Sequence, residues 1–187
     1  REDGQKYRAL SDLVLTGTGT LRIDNPFLNV RRKEIVNLEG FTQPVKGLIS
    51  SSAAELDSNF FPIDGKKIIF CNDKNNFKNF EEIKDISIIE INNSKDNKVD
   101  LKALINEIGL LNFNDVLLES GPSLITSFIN ENLIDEFIIY IAPKILSNTA
   151  LSFFNGDEQK SPFNSNDFEL TEEETIKEDR KLIFRRI

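Results

Sequence analysis

The sequence predicts an α/β sheet of mixed direction flanked by helices, and three observations carry that prediction. Short apolar runs that read as strands alternate with segments of helical spacing. Gly- and Pro-bearing breaks separate the two kinds of segment. Two strand-like stretches at the tail are close enough to pair as an antiparallel hairpin, so both strand directions are expected. The length of 187 residues suits one domain, residues 1–187.

Taken in order, Asp3 to Leu10 has helical spacing with Tyr7 and Leu10 on one face. Leu13-Val14-Leu15 is a buried strand running into a tight Gly17-Thr18-Gly19-Thr20 loop. Val45–Ile49 is a second strand, ending in the cluster Ser50-Ser51-Ser52. Lys67–Cys71 follows the Asp64-Gly65 turn, and Ile86–Ile91 is a fourth strand. The Asn- and Lys-rich stretch from Asn72 to Asp85 reads as surface. Asp100 caps a helix whose Leu101, Leu104, Ile105, Ile108 and Leu111 form an apolar stripe for the core. Asp115–Leu118 is a strand, and after a Gly-Pro break a helix spans about Ser123 to Asn130. Phe137–Ala142 is apolar throughout, the pattern of a strand buried on both faces. Asp167–Thr175 and Arg180–Ile187, joined through Lys177-Glu178-Asp179, form the hairpin.

Composition removes whole classes of chemistry. With no His and a single Cys, the chain has no Ser–His or Cys–His pair, no His-ligated metal and no internal disulfide. No metal site is expected. Cys71 ends an apolar strand and reads as a buried small hydrophobe. The net charge of −8 argues against nonspecific nucleic-acid binding. No apolar run approaches the roughly 20 residues a membrane helix needs. The absence of Met suggests that Arg1 is not the natural start.

Two constellations could carry chemistry. Glu119-Ser120-Gly121-Pro122-Ser123-Leu124 lies between a strand and a helix. Gly121 frees the turn, Pro122 suits the first helical turn, and the outward N–H groups could hold a phosphate without a basic side chain. Glu119 falls at the carboxyl end of its strand, where open α/β sheets bind ligands. A plain strand-to-helix turn, with Glu119 near the positive helix end, is the competing interpretation. The second constellation is Thr16-Gly17-Thr18-Gly19-Thr20 through Asp24-Asn25-Pro26, followed by Leu28 and Arg31. Its glycines permit close backbone approach and its hydroxyls can meet phosphate or ribose oxygens. Arg8, Arg22 and Arg31 surround it in an acidic chain, and guanidinium forks match phosphate. A structural loop with solvated arginines is the alternative there, as an ordinary loop is for Ser50-Ser51-Ser52.

In order, Arg8-Ala9-Leu10-Ser11-Asp12, Gly17-Thr18-Gly19-Thr20, Asp24-Asn25-Pro26, Leu28, Arg31, Glu119-Ser120-Gly121-Pro122-Ser123-Leu124 and Asp135-Glu136 through Tyr140 to Ala142-Pro143-Lys144 resemble one family. It is the reductase domain of the bifunctional riboflavin-biosynthesis deaminase–reductase, and the resemblance spans nearly the whole chain. It implies a dihydrofolate-reductase-like, mostly parallel mixed sheet with a C-terminal antiparallel hairpin. It also implies NADPH contacts at Thr20, Asp24, Ser51 and Gly121, Pro122, Ser123, Leu124, Ile125, Thr126 and Ser127. The substrate, a phosphorylated ribosylaminopyrimidine, would be held by Arg8, Leu28, Arg31 and Glu119. The family's homodimer and cytoplasmic location come with the resemblance.

Two departures qualify it. The family's first strand, with its Ser-Leu-Asp-Gly-like motif, and the following Trp-Ile-Thr-like turn are missing, so the domain is expected to be N-terminally incomplete. A zinc deaminase could precede it, but these residues cannot supply one. Leu146-Ser147-Asn148 also stands where the family often has glycine. The expected reaction is NADPH-dependent reduction of 5-amino-6-(5-phosphoribosylamino)uracil to its ribitylamino form. Hydride would pass to C1 of the opened ribose, with Glu119, and secondarily Asp24, as the catalytic carboxylate. The alternatives are a same-fold reductase of another pyrimidine or pterin, or a silent nucleotide-binding module.

Overall fold

The apolar run starting at Leu13 becomes the interior strand β1 (Leu13–Gly17), whose first four residues are wholly buried. The computed structural model describes residues 2–52, 58–80, 82–92, 98–147, 150–155 and 167–187. They fall into two compact units, Arg1–Gly121 and Pro122–Ile187.

In the first unit β1 is flanked by β2 (Val45–Ser50) and β5 (Val116–Leu118), with β3 (Lys67–Cys71) and β4 (Ile86–Glu90) continuing one side. The order is β4-β3-β2-β1-β5 and every pairing is parallel. A parallel sheet covered on both faces needs continuous apolar strands, which is why Lys67–Cys71 is buried along its length. Asp12 sets the register. Its carbonyl accepts from Val45 N at 2.9 Å, and its carboxylate accepts from the N–H groups of Asn114 (2.8 Å) and Asp115 (3.1 Å). Those two backbone donors hold its carboxyl below the ordinary value. Val14, Leu21, Leu28, Leu48, Phe60, Phe61, Ile69, Cys71, Phe77 and Phe80 share one core cluster.

Helix α1 (Gly4–Leu10) precedes β1, α2 (Thr18–Asp24) and α3 (Lys33–Val36) follow it, and α4 (Leu101–Leu110) precedes β5. Asp100 caps α4 as predicted, accepting from Ala103 N at 2.9 Å.

The second unit holds α5 (Pro122–Asn130) and a separate sheet ordered β6-β8-β7. Its strands are β6 (Glu136–Ile141), β7 (Phe168–Ile176) and β8 (Asp179–Arg186), all antiparallel. The mixture of directions is therefore divided between two sheets. The tail hairpin forms as expected, with Lys177 at φ +58° in its turn. Phe137 and Phe168 pack edge to face at 5.0 Å, and the Arg186 guanidinium lies 4.7 Å from the Phe168 ring centre.

Several expectations are corrected. The Gly17–Thr20 loop is mostly helix: Gly17 is the extended N-cap and α2 begins at Thr18. Burial of Leu21 outweighs the poor helix propensity of Thr-Gly-Thr. The Asn72–Asp85 stretch contains a 3-10 helix, Lys74–Phe80, because Phe77 and Phe80 plug the core; Glu81 within it lies outside the described residues. Among the described residues β6 pairs only with β8, and its Tyr140 and Ile141 are exposed rather than buried on both faces. Leu10 and Leu111, each at the end of its helix, are exposed too. Asn148 lies outside the described residues.

Candidate functional site

The carboxyl ends of three adjacent parallel strands, β2, β1 and β5, deliver Ser50, Gly17 and Leu118 to one end of the sheet. Each leads into a segment singled out in the sequence. Beyond β5, Glu119 N donates to Leu15 O at 2.9 Å, so the ladder with β1 runs one step past the strand. That step presents the Glu119 side chain to Arg8. Arg8 Nε donates to Oε1 at 2.6 Å and Nη2 to Oε2 at 2.7 Å, while Nη1 reaches Asn29 O at 3.0 Å. The guanidinium is thus committed on three nitrogens, and two of its bonds make the two-point carboxylate fork. The pair is only part-buried, with the Arg8 side chain 13% and the Glu119 side chain 30% exposed.

A second set of contacts joins the loops. Thr20 Oγ1 accepts from Gly121 N at 2.9 Å, tying α2 to the turn after β5. Thr18 Oγ1 donates to Ser50 Oγ at 2.7 Å, and the Ser50 hydroxyl in turn donates to Ser52 O. At Gly121 an added Cβ would meet only Thr20 Oγ1, at 3.7 Å, so the backbone stands open there.

The remaining candidates are placed differently. Asp24 is exposed at the last position of α2, about 6 Å along the helix axis from Thr20. Asn25 follows it as a left-handed cap at φ +43°, its carboxamide and carbonyl bound to Asn59. Leu28 is also left-handed, at φ +54°, and the whole residue, backbone included, is buried in the core. Arg31 is exposed and its guanidinium lies 5.2 Å from the Phe27 ring centre; Ser51 and Arg22 are exposed as well.

Within the second unit, Pro122 opens α5, and no acidic side chain stands in the first turn to repel an anion. Ser123 is exposed, Leu124 and Ile125 are half-buried. Thr126 is buried and accepts from Asn155 N at 3.0 Å, and Ser127 Oγ donates back to Ser123 O at 3.1 Å. Both hydroxyls are therefore occupied locally, and what this helix offers an anion is its first-turn backbone N–H groups.

Sequence reasoning missed Gln5 and Gln43. Gln5 Oε1 accepts from Arg31 N at 2.5 Å; Gln43 Oε1 accepts from Val30 N and its Nε2 donates to Val30 O, both at 2.8 Å. No local pattern marks a glutamine that bonds to a distant backbone. Cys71 is wholly buried as expected, and burial chiefly pushes its thiol up to about 11. Among the described residues no three His, Cys, Asp or Glu side chains gather as metal ligands. No described helix is long and apolar enough to cross a membrane.

Comparison with known proteins gives a consistent result. The family model described as the RibD C-terminal domain matches residues 1–182. A 5-amino-6-(5-phosphoribosylamino)uracil reductase of Buchnera aphidicola subsp. Acyrthosiphon pisum is 35% identical, over 80% of this chain and 74% of its own. The riboflavin biosynthesis protein RibD of Buchnera aphidicola subsp. Baizongia pistaciae is 34% identical, over 82% of this chain and 43% of its own. A solved RibD structure from Acinetobacter baumannii superposes with a TM-score of 0.85 at 26% identity, covering all of this chain and 50% of that one. The chain thus spans about half the length of these RibD proteins.

Proposed function

Since the chain belongs to the RibD C-terminal domain family, we propose that it carries the reductase activity of riboflavin biosynthesis. The reaction is the NADPH-dependent reduction of 5-amino-6-(5-phosphoribosylamino)uracil to the ribitylamino form. The observation that carries this reading is the Arg8–Glu119 fork just beyond the carboxyl end of β5, where a parallel sheet places its ligands. A relative named for this reductase, of which the chain covers 74%, supports the substrate.

Within the first unit, Glu119 and Arg8 hold the polar groups of the substrate. Arg31 offers its exposed fork to the substrate phosphate, and Leu28, wholly buried, anchors the loop that carries it. Thr20, Asp24 and Ser51 are the cofactor residues of this unit. Fixed by the Thr20–Gly121 hydrogen bond, the open backbone at Gly121 leaves room for a close approach. In the second unit, the first turn of α5 (Pro122, Ser123, Leu124, Ile125) fits a phosphate group; Thr126 and Ser127 hold that turn in shape. When bound, NADPH supplies the hydride that reduces C1 of the opened ribose. The chain's own contribution is orientation, plus proton handling at the Glu119 carboxylate.

The reading extends to a homodimer and to a cytoplasmic location, both carried by the family resemblance. The test is oxidation of NADPH, followed by its absorbance, on addition of the phosphorylated ribosylaminopyrimidine. Substrate-dependent oxidation is expected; binding of NADPH without oxidation would leave a silent nucleotide-binding module instead. NADH assayed in parallel decides the preference between the two nicotinamides.

A further inference from the structure

We propose that Gln43 is a positioning residue that aims Arg31, and so sets the preference for a phosphorylated substrate; this rests on the reading of Arg31 as the phosphate partner. The segment from Asn25 to Arg32 belongs to no helix or strand. Backbone groups in such a stretch ordinarily turn to water. Here three consecutive residues are held by side chains from elsewhere. Arg8 Nη1 takes Asn29 O at 3.0 Å, Gln43 takes both Val30 N and Val30 O at 2.8 Å, and Gln5 Oε1 takes Arg31 N at 2.5 Å. The two Gln43 bonds reproduce with one carboxamide the paired contacts that a neighbouring strand would make.

Gln43 can transmit rigidity because its own backbone is fixed. It precedes Pro44, which confines it to extended conformations, and Val45 begins β2 with its N–H on Asp12 O at 2.9 Å. On the other side of the clamp, the Leu28 and Val30 side chains are buried. The segment is therefore pinned to the sheet by Gln43 and to the core by two apolar side chains. Arg31 is the next residue, and its guanidinium packs against Phe27 with no ion-pair partner among the described residues. Such a fork selects a phosphate only if its origin is held still, because two-point contacts are directional. Both glutamines bond to backbone atoms only, Gln5 to Arg31 N and Gln43 to Val30, and neither hydrogen-bonds the Arg31 guanidinium, so the effect is on aim alone.

The experiment compares kcat and KM for the phosphorylated substrate and its dephosphorylated form in the wild type, Gln43→Leu, Gln43→Glu and Arg31→Ala. Gln43→Glu keeps an acceptor for Val30 N but sets an oxygen against Val30 O, and it serves if the leucine variant does not fold. The preference for the phosphorylated form is expected to fall about tenfold in either Gln43 variant, the worth of one charge-assisted contact, through KM with kcat little changed. In an Arg31→Ala background, Gln43→Leu should remove nothing further. An equal loss on both substrates, or additive losses with Arg31→Ala, overturns the proposal. A second arm titrates ribose 5-phosphate and needs no turnover. Binding weakened by Gln43→Leu, and by Arg31→Ala to a similar degree, supports the assignment; binding indifferent to both overturns it. Absence of NADPH oxidation in the wild type would instead count against the reductase reading, and the binding arm would still decide the role of Gln43.

Discussion

Arg8 and Glu119, 111 positions apart in the chain, meet in a two-point ion pair at 2.6 and 2.7 Å. The pair joins α1 to the end of β5 across the edge of the parallel sheet. Removing either partner leaves the other part-buried without its counter-charge. Arg8→Met should lower stability by about 1–3 kcal/mol, less than for a fully buried pair because both side chains keep some solvent contact. Urea unfolding measures it. Glu119→Gln preserves shape but turns an amide NH2 toward a guanidinium that can only donate. Its NADPH turnover should drop by about 10²-fold, the scale of a lost acid–base group. Unchanged turnover would take Glu119 out of the mechanism.

The Thr20–Gly121 hydrogen bond, 2.9 Å long, makes a sharper prediction about the loops. Thr20→Val keeps the volume and removes the acceptor, so Gly121 N–H loses its partner, at a cost of about 1 kcal/mol. The same change should raise KM for NADPH several-fold, because the open backbone it holds is the proposed cofactor approach. Thr20→Ser retains the hydroxyl and should restore both. Parallel unfolding and steady-state kinetics check this. A Thr20→Val enzyme with unaltered KM would show that the bond serves the fold alone.

How much of this was legible in the sequence depends on the range of the interaction. Strand Lys67–Cys71 and the Asp100 cap follow from period and composition within a few residues, and both appear where the pattern puts them. The α2 start was not legible, because Thr-Gly-Thr disfavours helix and only the burial of Leu21 decides otherwise. The half-exposure of β6 depends on which strand lies beside it, and no local pattern reports that. At the site, Arg8 and Glu119 were picked out singly, but their pairing needed the fold. Gln43 carried no signal, since its partners are backbone atoms of a segment 13 residues away.

Gly47 lies in the middle of β2, where a side chain would ordinarily strengthen a strand. A Cβ built there would come within 2.4 Å of Leu15 Cδ2, 3.2 Å of Leu13 Cδ1 and 3.4 Å of Phe70 Cε2. All three neighbours are wholly buried, so none can swing out to solvent. Gly47→Ala is therefore expected to destabilise by about 1–3 kcal/mol, despite the better strand propensity of alanine. Pairing it with Leu15→Ala, which opens the clashing site, should make the double variant less unstable than the sum of the two. Additive losses, measured by denaturant unfolding, would contradict the steric explanation.

Lys46 and Lys67 face each other across β2 and β3, and both are buried. Lys46 Nζ donates to Phe60 O at 3.0 Å and Ile63 O at 3.4 Å, and Lys67 Nζ to Gly65 O at 2.9 Å. Burial first, and then the Lys67 charge, push Lys46 down to about 8 against the opposing pull of Asp64; burial lowers Lys67 too. In the unfolded chain lysine returns to 10.5. Between these values the unfolded state binds more protons than the folded one, so this residue makes stability rise with pH from about 8 to 10.5. Cys71 acts in the opposite sense above 9, because its buried thiol keeps its proton up to about 11 while the unfolded thiol loses it. The wild-type curve alone therefore mixes two signs. Lys46→Met isolates one of them, since Cys71 contributes equally to both proteins. Between about pH 7.5 and about pH 10, wild type should gain on the variant by roughly 2–3 kcal/mol. At the lower pH the variant sheds a buried charge but strands two carbonyls, so the difference there should be small. Unfolding midpoints of the two proteins at both pH values test this, and a difference independent of pH would mean that Lys46 titrates normally.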